Sequence, residues 1–251
     1  MSIFPFPPGS VALVGAGPGD PGLLTRRALR ALQEADVVIH DRLISPEILA
    51  LAAPGAGRAA VGKEGFGPST PQTTTNALMV THARRGARVV RLKGGDPAIF
   101  ARLDEEIAAL QAAGIAWQVV PGITAASAAA ASLGQGLTLR GRNAGVRLIT
   151  GHDMTGFAEQ DWRALAAPGA VAAIYMGKRA ARFLQGRLMM HGAAATTPVT
   201  LVENASRPSE RILPATLATL PEAAAQLDGP AILLLGLAPR RAHTDAKEVT
   251  A

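Results

Sequence analysis

The first half of the chain alternates short apolar stretches with longer amphipathic ones. Runs of four or five apolar residues predict buried strands, and segments with an apolar residue every three or four positions predict helices. The predicted strands cover 11–14, 36–40, 58–61, 88–92 and 117–120, and the predicted helices cover 23–33, 72–85 and 99–113. This alternation is typical of crossover connections, so it predicts a mostly parallel sheet.

The second half follows a less regular pattern. A segment rich in glycine and arginine, Gly134 to Gly145, separates the halves and predicts a junction between a domain of residues 1–135 and one of residues 136–251. Predicted strands follow at 146–150, 171–175, 199–202, 211–215 and 231–235, with predicted helices at 180–190 and 220–227. The sequence therefore predicts an α/β fold of two α/β domains, the second with a mixed sheet.

Composition limits which cell compartment and which classes of partner we expect for this chain. Cysteine is absent, and the stretch from Met1 to Pro8 is interrupted by prolines and does not resemble a signal peptide. The apolar run from Ala231 to Ala238 is far shorter than the ~20 residues that span a bilayer. These features predict a cytoplasmic protein without a membrane partner. The net charge of +6 suits an acidic partner, and since no basic run alternates with aromatic residues, we expect a small molecule and not a nucleic acid.

Three of the predicted strands end in loops of small residues. The loops are Gly15–Pro21, Lys93–Pro97 and Pro121–Ala126. Glycines at the carboxyl edge of a sheet let the backbone approach a ligand closely. The first loop resembles a dinucleotide fingerprint, but Asp20 stands at its third glycine position, so a nicotinamide-dependent oxidoreductase is the weaker alternative.

These loops and four further motifs resemble the tetrapyrrole methyltransferases, closest to the members that methylate uroporphyrinogen III. The similarity runs from Ser10 to Gly236, with the motifs in the family's order. The motifs occupy residues 14–21, 41–43, 61–63, 91–97, 120–125, 150–152 and 175–177. The resemblance implies an enzyme that adds two methyl groups from S-adenosylmethionine to carbon atoms of uroporphyrinogen III. The product would be precorrin-2, formed through precorrin-1 for sirohaem and cobalamin biosynthesis.

The resemblance also implies how the enzyme is built. Two α/β domains would hold the donor in a cleft between them, the protein would be a homodimer, and no metal would be needed. Asp41 matches the family's proton acceptor and Lys63 its proton donor. By position, the cofactor contacts would be Pro18, Gly94, Gly95, Asp96, Ile99, Thr124, Ala125, Met176, Ala205 and Ala231.

The chemistry of the acceptor gives several other residues a possible role. A substrate with eight carboxylates suits arginine, whose planar guanidinium pairs with a carboxylate through two hydrogen bonds. The candidates are Arg42, Arg91, Arg102 and Arg140. His152, which has no second ligand at metal spacing, is interpreted as a residue that shapes its loop.

Alternatives stay open at this stage. Asp41 could instead cap the next helix, Asp96 could cap the helix after Pro97, and Lys63 could be a solvated loop residue. The family's Phe-Gly-Arg-Gly-Gly-Glu-Glu is Phe-Ala-Arg-Leu-Asp-Glu-Glu at 100–106, and its Leu-Thr-His-Arg has Leu139 for histidine. These departures keep open a later precorrin, or the diphthamide precursor on a protein, as acceptor. A tetrapyrrole carrier without catalytic activity is a further alternative.

Overall fold

The computed structural model describes residues 5–62, 70–153 and 156–240 and divides the chain into two compact units. The units are Met1–Thr124 and Ala125–Ala251, so the division falls ahead of the predicted junction at 135/136. Helix α5, Ala125–Ser132, accounts for the difference. It packs in one cluster with the strands of the second sheet, whereas the change in composition that suggested the junction comes only after it. None of the helices described is long and apolar enough to cross a membrane.

The first unit contains a parallel sheet of five strands in the order β3-β2-β4-β1-β5. Its strands are β1 Ser10–Gly15, β2 Val37–Asp41, β3 Gly57–Val61, β4 Val89–Lys93 and β5 Ala116–Val120. Its helices are α1 Arg26–Glu34, α2 Pro46–Leu49, α3 Gln72–Arg84 and α4 Leu103–Ala112. The predicted parallel sheet is therefore confirmed, with strand ends within one residue of those predicted from the apolar runs.

Helices cover both faces of this sheet. Alternate residues of the strands pack against α1 and α2 on one face, where Leu32 and Ile48 are buried. The other residues pack against α3 and α4, where Met79 and Leu110 are fully buried. A parallel sheet covered in this way has strands that are apolar on both faces, which explains the continuous apolar runs in the sequence.

Local signals set the ends of the helices. The Thr25 hydroxyl accepts a hydrogen bond from the Ala28 amide at 3.1 Å, so α1 begins at Arg26 and not at Leu23 as predicted. Helix α4 begins at Leu103 and not at Ile99, because Phe100 and Arg102 have left-handed backbone with φ of 50° and 57°. Two residues in this conformation cannot belong to a right-handed helix.

The second unit has a mixed sheet, as predicted, with five strands in the order β6-β7-β10-β8-β9. Only β6 and β7 are parallel, and the remaining pairs are antiparallel. The strands are β6 Arg147–Thr150, β7 Ala172–Tyr175, β8 Pro198–Glu203, β9 Arg211–Thr216 and β10 Ala231–Leu235, and the remaining helices are α6 Trp162–Ala166, α7 Ala181–Met190 and α8 Leu220–Ala225. Helices α6 to α8 cover one face, and α5 covers the other.

Candidate active site

Three glycines bring the ends of β1, β4 and β5 into contact at the carboxyl edge of the parallel sheet. A Cβ atom on Gly122 would lie 2.9 Å from the Cα atom of Gly15 and would collide with the carbonyl oxygen of Gly95. The Gly95 amide donates to the Gly17 carbonyl at 2.8 Å, and Gly17 donates back at 3.1 Å. Because side chains are excluded, the backbones of three loops form a single surface at this edge.

Asp96 joins two of these loops. One carboxylate oxygen accepts from the Gly122 amide at 2.9 Å, and the other accepts from Ala98 at 2.8 Å. The predicted capping role is therefore confirmed only for the turn after Pro97, and the same side chain also holds the β5 loop.

Asp41 lies at the end of β2, beside the β4 loop. Its Oδ1 accepts from Nη2 of Arg91 at 2.5 Å, and its Oδ2 lies 3.4 Å from the amide nitrogen of Gly94. The alternative role as a helix cap is wrong, because the Ser45 hydroxyl caps α2 instead. With a third of its side chain exposed, Asp41 can be reached from solvent.

A buried network of charges lies behind Asp41. Arg91 and Lys93 alternate along β4, so both side chains emerge on the face that α4 covers. Glu106 of α4 is fully buried and accepts from Nε of Arg91 at 2.9 Å and from Nζ of Lys93 at 2.7 Å. Nε2 of Gln72 donates to the same carboxylate at 3.2 Å. Two cations and two carboxylates therefore form one chain of contacts that runs from Lys93 to Asp41.

The two cations of this network respond differently to their surroundings. Burial on its own would lower the pKa of Arg91, but the charges of Asp41 and Glu106 outweigh it and raise that pKa. Burial lowers the pKa of Lys93, and the charge of Arg91 lowers it further, while Glu106 opposes both effects. The surroundings thus favour the charged form of Arg91, whereas they make Lys93 easier to deprotonate than a free lysine.

A cavity of about 210 Å³ opens beside Asp41. Polar groups of β2, β4, α3 and the turn before α4 contribute most of its wall. The lining residues are Asp41, Val61, Gly62, Thr70, Gln72, Thr75, Arg91, Lys93, Phe100, Ala101 and Arg102. The cavity is too polar for an apolar ligand and presents a carboxylate together with several cations.

The chain that builds this site matches a known family. The model of the Tetrapyrrole (Corrin/Porphyrin) Methylases matches residues 10–221, which is most of the chain. The chain belongs to the tetrapyrrole methylase family. The family resemblance found in the sequence is therefore confirmed. The α/β fold that this resemblance implies is confirmed as well.

Individual relatives agree with the family assignment. Siroheme synthase 3 of Aeromonas hydrophila is 48% identical over 228 residues, which are 91% of this chain and 49% of that protein. Siroheme synthase of Edwardsiella ictaluri is 47% identical over 236 residues, 94% of this chain and 51% of that protein. The chain thus spans about half the length of the curated relatives it matches.

Solved structures are similar over nearly their whole length. A uroporphyrin-III C-methyl transferase from Thermus thermophilus complexed with S-adenyl homocysteine has a TM-score of 0.78 and 38% identity, over 90% of this chain and 97% of that one. A cobalt precorrin-4 methyltransferase has a TM-score of 0.81 and 29% identity, over 91% of this chain and 95% of that one.

The second unit of this tetrapyrrole methylase places three more of the predicted donor residues at strand ends, whereas Ala125 begins α5. Met176 follows β7 with half of its surface exposed and φ of 53°. Ala205 follows β8 and lies between Asn204 and Ser206, whose φ values of 50° and 66° are also left-handed. Ala231 begins β10. Left-handed backbone at residues other than glycine is strained, and such strain concentrates at functional sites.

His152 has the local role that the sequence predicts. Its Nδ1 lies 3.2 Å from the carbonyl oxygen of Met176, and its ring packs edge-on against Phe157. The Thr150 hydroxyl accepts from the His152 amide and donates to the His152 carbonyl. These contacts fix the loop after β6 beside the end of β7.

The four predicted substrate arginines differ in exposure. Arg42 and Arg140 are exposed, and Arg102 is exposed and forms a bidentate pair with Glu105 at 2.6 and 2.7 Å. Arg91 is buried, with all three guanidinium nitrogens bonded to protein atoms. Its position favours an internal role over pairing with a substrate carboxylate. Lys63, the predicted proton donor, lies outside the described residues.

Sequence reasoning missed Glu106 and Gln72. In the sequence, Glu106 is one of three acidic residues at the start of a helix, where acidic residues are common because of the helix dipole. Two signals mark it out. It lies four residues before the buried Leu110, on the same face of α4, and the buried cations of β4 need an anion opposite them.

Proposed function

We propose that this chain is an S-adenosylmethionine-dependent C-methyltransferase that adds two methyl groups in succession to uroporphyrinogen III. Precorrin-1 would be the intermediate and precorrin-2 the product, as sirohaem or cobalamin synthesis requires. The names of the siroheme synthases and of the Thermus thermophilus enzyme support this assignment.

One contact carries the proposal. Two separate motifs predict Asp41 as the base and Gly94 as a donor contact, and the fold brings Oδ2 of Asp41 within 3.4 Å of the Gly94 amide nitrogen. A methyltransferase of this kind needs the two functions side by side, because the carbon that receives the methyl group belongs to the macrocycle that later loses a proton.

The β4 loop fits a donor of this kind. An added Cβ atom on Gly94 would meet no atom within 4 Å, so the fold does not require glycine there. The position is exposed, at the edge where α/β sheets bind ligands. We propose that the donor site is lined by further residues of this edge and by the other contacts that the resemblance implies. The residues of this edge are Pro18, Gly95, Asp96 and Ile99, and the others are Thr124, Ala125, Met176, Ala205 and Ala231.

The protein's part in methyl transfer is mainly alignment. When bound, S-adenosylmethionine would supply an electrophilic methyl group on its sulfonium. The pyrrole carbon is already a good nucleophile, so the loops need only hold it near ~3–3.5 Å from that methyl group, in line with the bond that breaks. Bare backbone at Gly94 and Gly95 permits such an approach.

Asp41 removes the proton after methylation. The new carbon–carbon bond leaves a cationic iminium on the macrocycle. When a C–H bond of the macrocycle breaks, its electron pair neutralises the iminium and the proton passes to the Asp41 carboxylate. The cavity beside Asp41 gives the macrocycle access to this carboxylate.

Exposed arginines are proposed to bind the acceptor. Arg42, Arg102 and Arg140 present cations at the surface, whereas Arg91 is committed to Asp41 and Glu106. Arg102 would exchange its pairing with Glu105 for a substrate carboxylate, which costs little because exposed pairs contribute only about 0.2–1 kcal/mol.

A later precorrin is the second candidate acceptor. The similarity to the cobalt precorrin-4 methyltransferase and the changed residues Ala101, Leu103 and Asp104 at the cavity favour testing it. We propose that these residues affect which acceptor fits, because Ala101 lines the cavity and the other two begin α4.

The test is product mass after anaerobic incubation with S-adenosylmethionine and each acceptor. Two methyl additions to uroporphyrinogen III are expected. Turnover of only a later precorrin would favour the second candidate, and no mass gain with any acceptor would refute methyl transfer. Titration with NADH should show no specific binding, and a positive result would support the oxidoreductase alternative.

Asp41→Asn separates an enzyme from a carrier. Turnover should disappear, whereas affinity for S-adenosylhomocysteine measured by calorimetry should stay. The matched control is Asp36→Asn, at the opposite end of the same strand, where the carboxylate accepts from the Arg88 amide. A carrier would show no turnover in any form of the protein.

The assembly and compartment remain proposals. The resemblance implies a homodimer, which light scattering on the purified protein would test. The cytoplasmic location also stays a prediction.

A further inference from the structure

Glu106 is a fully buried carboxylate to which the proposed mechanism assigns no step. Its two oxygens accept hydrogen bonds from Arg91, Lys93 and Gln72, which belong to β4 and α3. Burying an ionised carboxylate is costly unless it is paired and hydrogen-bonded, so this site is built to hold a charge. A buried ion pair is weak evidence for stability, and buried charges beside a cavity point more often to function.

Glu106 determines how Arg91 meets Asp41. The Arg91 guanidinium donates from Nε to Glu106 at 2.9 Å, from Nη1 to the Leu92 carbonyl at 3.1 Å and from Nη2 to Asp41 at 2.5 Å. The guanidinium is planar and rigid, so fixing Nε and Nη1 also fixes the direction of Nη2. Among the described residues, the Asp41 carboxylate has one further contact, the long one to the Gly94 amide, so Arg91 is its main anchor.

Glu106 also divides the positive charge of β4. Without it, Arg91 and Lys93 would lie side by side on one face of β4 with no carboxylate between them. With it, Lys93 pairs with Oε2 at 2.7 Å, and Arg91 keeps one carboxylate on each side. In the part of the chain that the structure describes, the Asp41 carboxylate therefore meets one cation in a fixed direction, and the same side chain lines the cavity.

We propose that Glu106 is a positioning residue for proton removal, acting through Arg91 to hold Asp41 at the acceptor. The inference rests on the proposed function. Methyl transfer itself does not involve Asp41, so loss of Glu106 should slow the step after it: cleavage of the C–H bond, with the electron pair neutralising the iminium and the proton passing to Asp41.

The test is Glu106→Gln, followed by rapid-quench measurement of S-adenosylhomocysteine formation on uroporphyrinogen III. The first turnover should stay within about twofold of the wild type, while the steady-state rate falls about tenfold or more. Asp41→Asn should show the same separation of the two rates, and combining both changes should add no further loss in steady state. Calorimetric affinity for S-adenosylhomocysteine should not change.

The matched control is Leu110→Ala, one turn later on the same buried face of α4. It loosens the helix but leaves the four charges in place. At a temperature where both variants are folded by circular dichroism, Leu110→Ala should keep both rates. If it separates the rates in the same way as Glu106→Gln, packing of α4 explains the effect and the inference fails.

A structure of the Glu106→Gln variant gives a readout that does not depend on activity. Nη2 of Arg91 should move away from Asp41, and an unchanged contact would overturn the inference. The inference would also be overturned if Glu106→Gln lowered the first-turnover and steady-state rates equally, or lowered neither of them. Neither result would affect the proposed function. Absence of methylation by the wild type would remove the proposed function and this inference together.

Discussion

Replacing Gly122 by alanine should destabilise the first unit, because the new Cβ atom has no space. It would lie 2.9 and 3.0 Å from the Cα and carbonyl carbon atoms of Gly15 and would collide with the Gly95 carbonyl oxygen. These are backbone atoms at the end of β1 and in the loop after β4, so no side chain can rotate away. Overpacking costs about 1–3 kcal/mol. Displacing the Gly122 amide from Asp96, which accepts at 2.9 Å, adds about 1.5 kcal/mol, the low end for a charged partner because Asp96 is half-buried.

The total is roughly 2.5–4.5 kcal/mol, and at about 4 °C per kcal/mol for a unit of this size the unfolding midpoint should fall by about 10–18 °C. Trp117 in β5 allows this transition to be followed by fluorescence. Gly94→Ala is the control: its Cβ atom would meet nothing within 4 Å, so the midpoint should move by no more than about 2 °C. Gly94→Ala should nevertheless weaken binding of S-adenosylhomocysteine. A Gly122→Ala midpoint within 2 °C of the wild type, on the same scale, would refute the reasoning.

Three further predictions concern other parts of the molecule. Gly151→Ala should lower the unfolding midpoint of the second unit, because its Cβ atom would lie 2.8 Å from the Cα atom of Gly177, whereas Gly186→Ala in the open interior of α7 should be neutral or stabilising. Burial would raise the pKa of Glu203, but hydrogen bonds from the Gly229 and Asp228 amides and the charge of Arg211 outweigh it and lower that pKa. The stability that the wild type gains over Glu203→Gln should therefore be complete above pH about 4.3 and disappear as the pH falls through the lowered pKa, as urea unfolding at several pH values would show. Raising the ionic strength should raise KM for the acceptor with little change in kcat. Salt screens the exposed arginines that are proposed to attract the acceptor, but it has little effect on the buried charge network. A fall in kcat alone would contradict this prediction.

The strands could be predicted from the sequence because burial on both faces leaves a continuous apolar run. The three helices that were missed lack an amphipathic pattern of sufficient length. Helix α5 has the sequence AASAAAAS, whose small residues do not distinguish a helix from a loop. Helices α2 and α6 are only four and five residues long. Their positions follow from packing against the sheets, which a local pattern does not contain.

The candidate site could be predicted only where chemistry requires a residue at a strand end. The glycine loops are recognisable because they follow apolar strands, whereas Asp41 was assigned only through the resemblance to the family, since its surroundings in the sequence equally suit a helix cap. The left-handed backbone of Phe100 and Arg102 could not be predicted, since neither residue favours it. Because the sequence does not reveal that turn, its apolar pattern predicts a helix from 99, and it does not show that Glu106 lies on the buried face of α4.

The glycine contacts and the buried charges meet one requirement of the proposed site. A carboxylate that accepts a proton from carbon must be held still, yet it must keep a lone pair open to the acceptor. Gly15, Gly95 and Gly122 fix the loop edge without using side chains. Arg91, held by the buried Glu106, fixes Asp41 from inside the unit. Because rigidity comes from backbone contacts on one side and from buried charges on the other, the surface between them stays open for donor and acceptor.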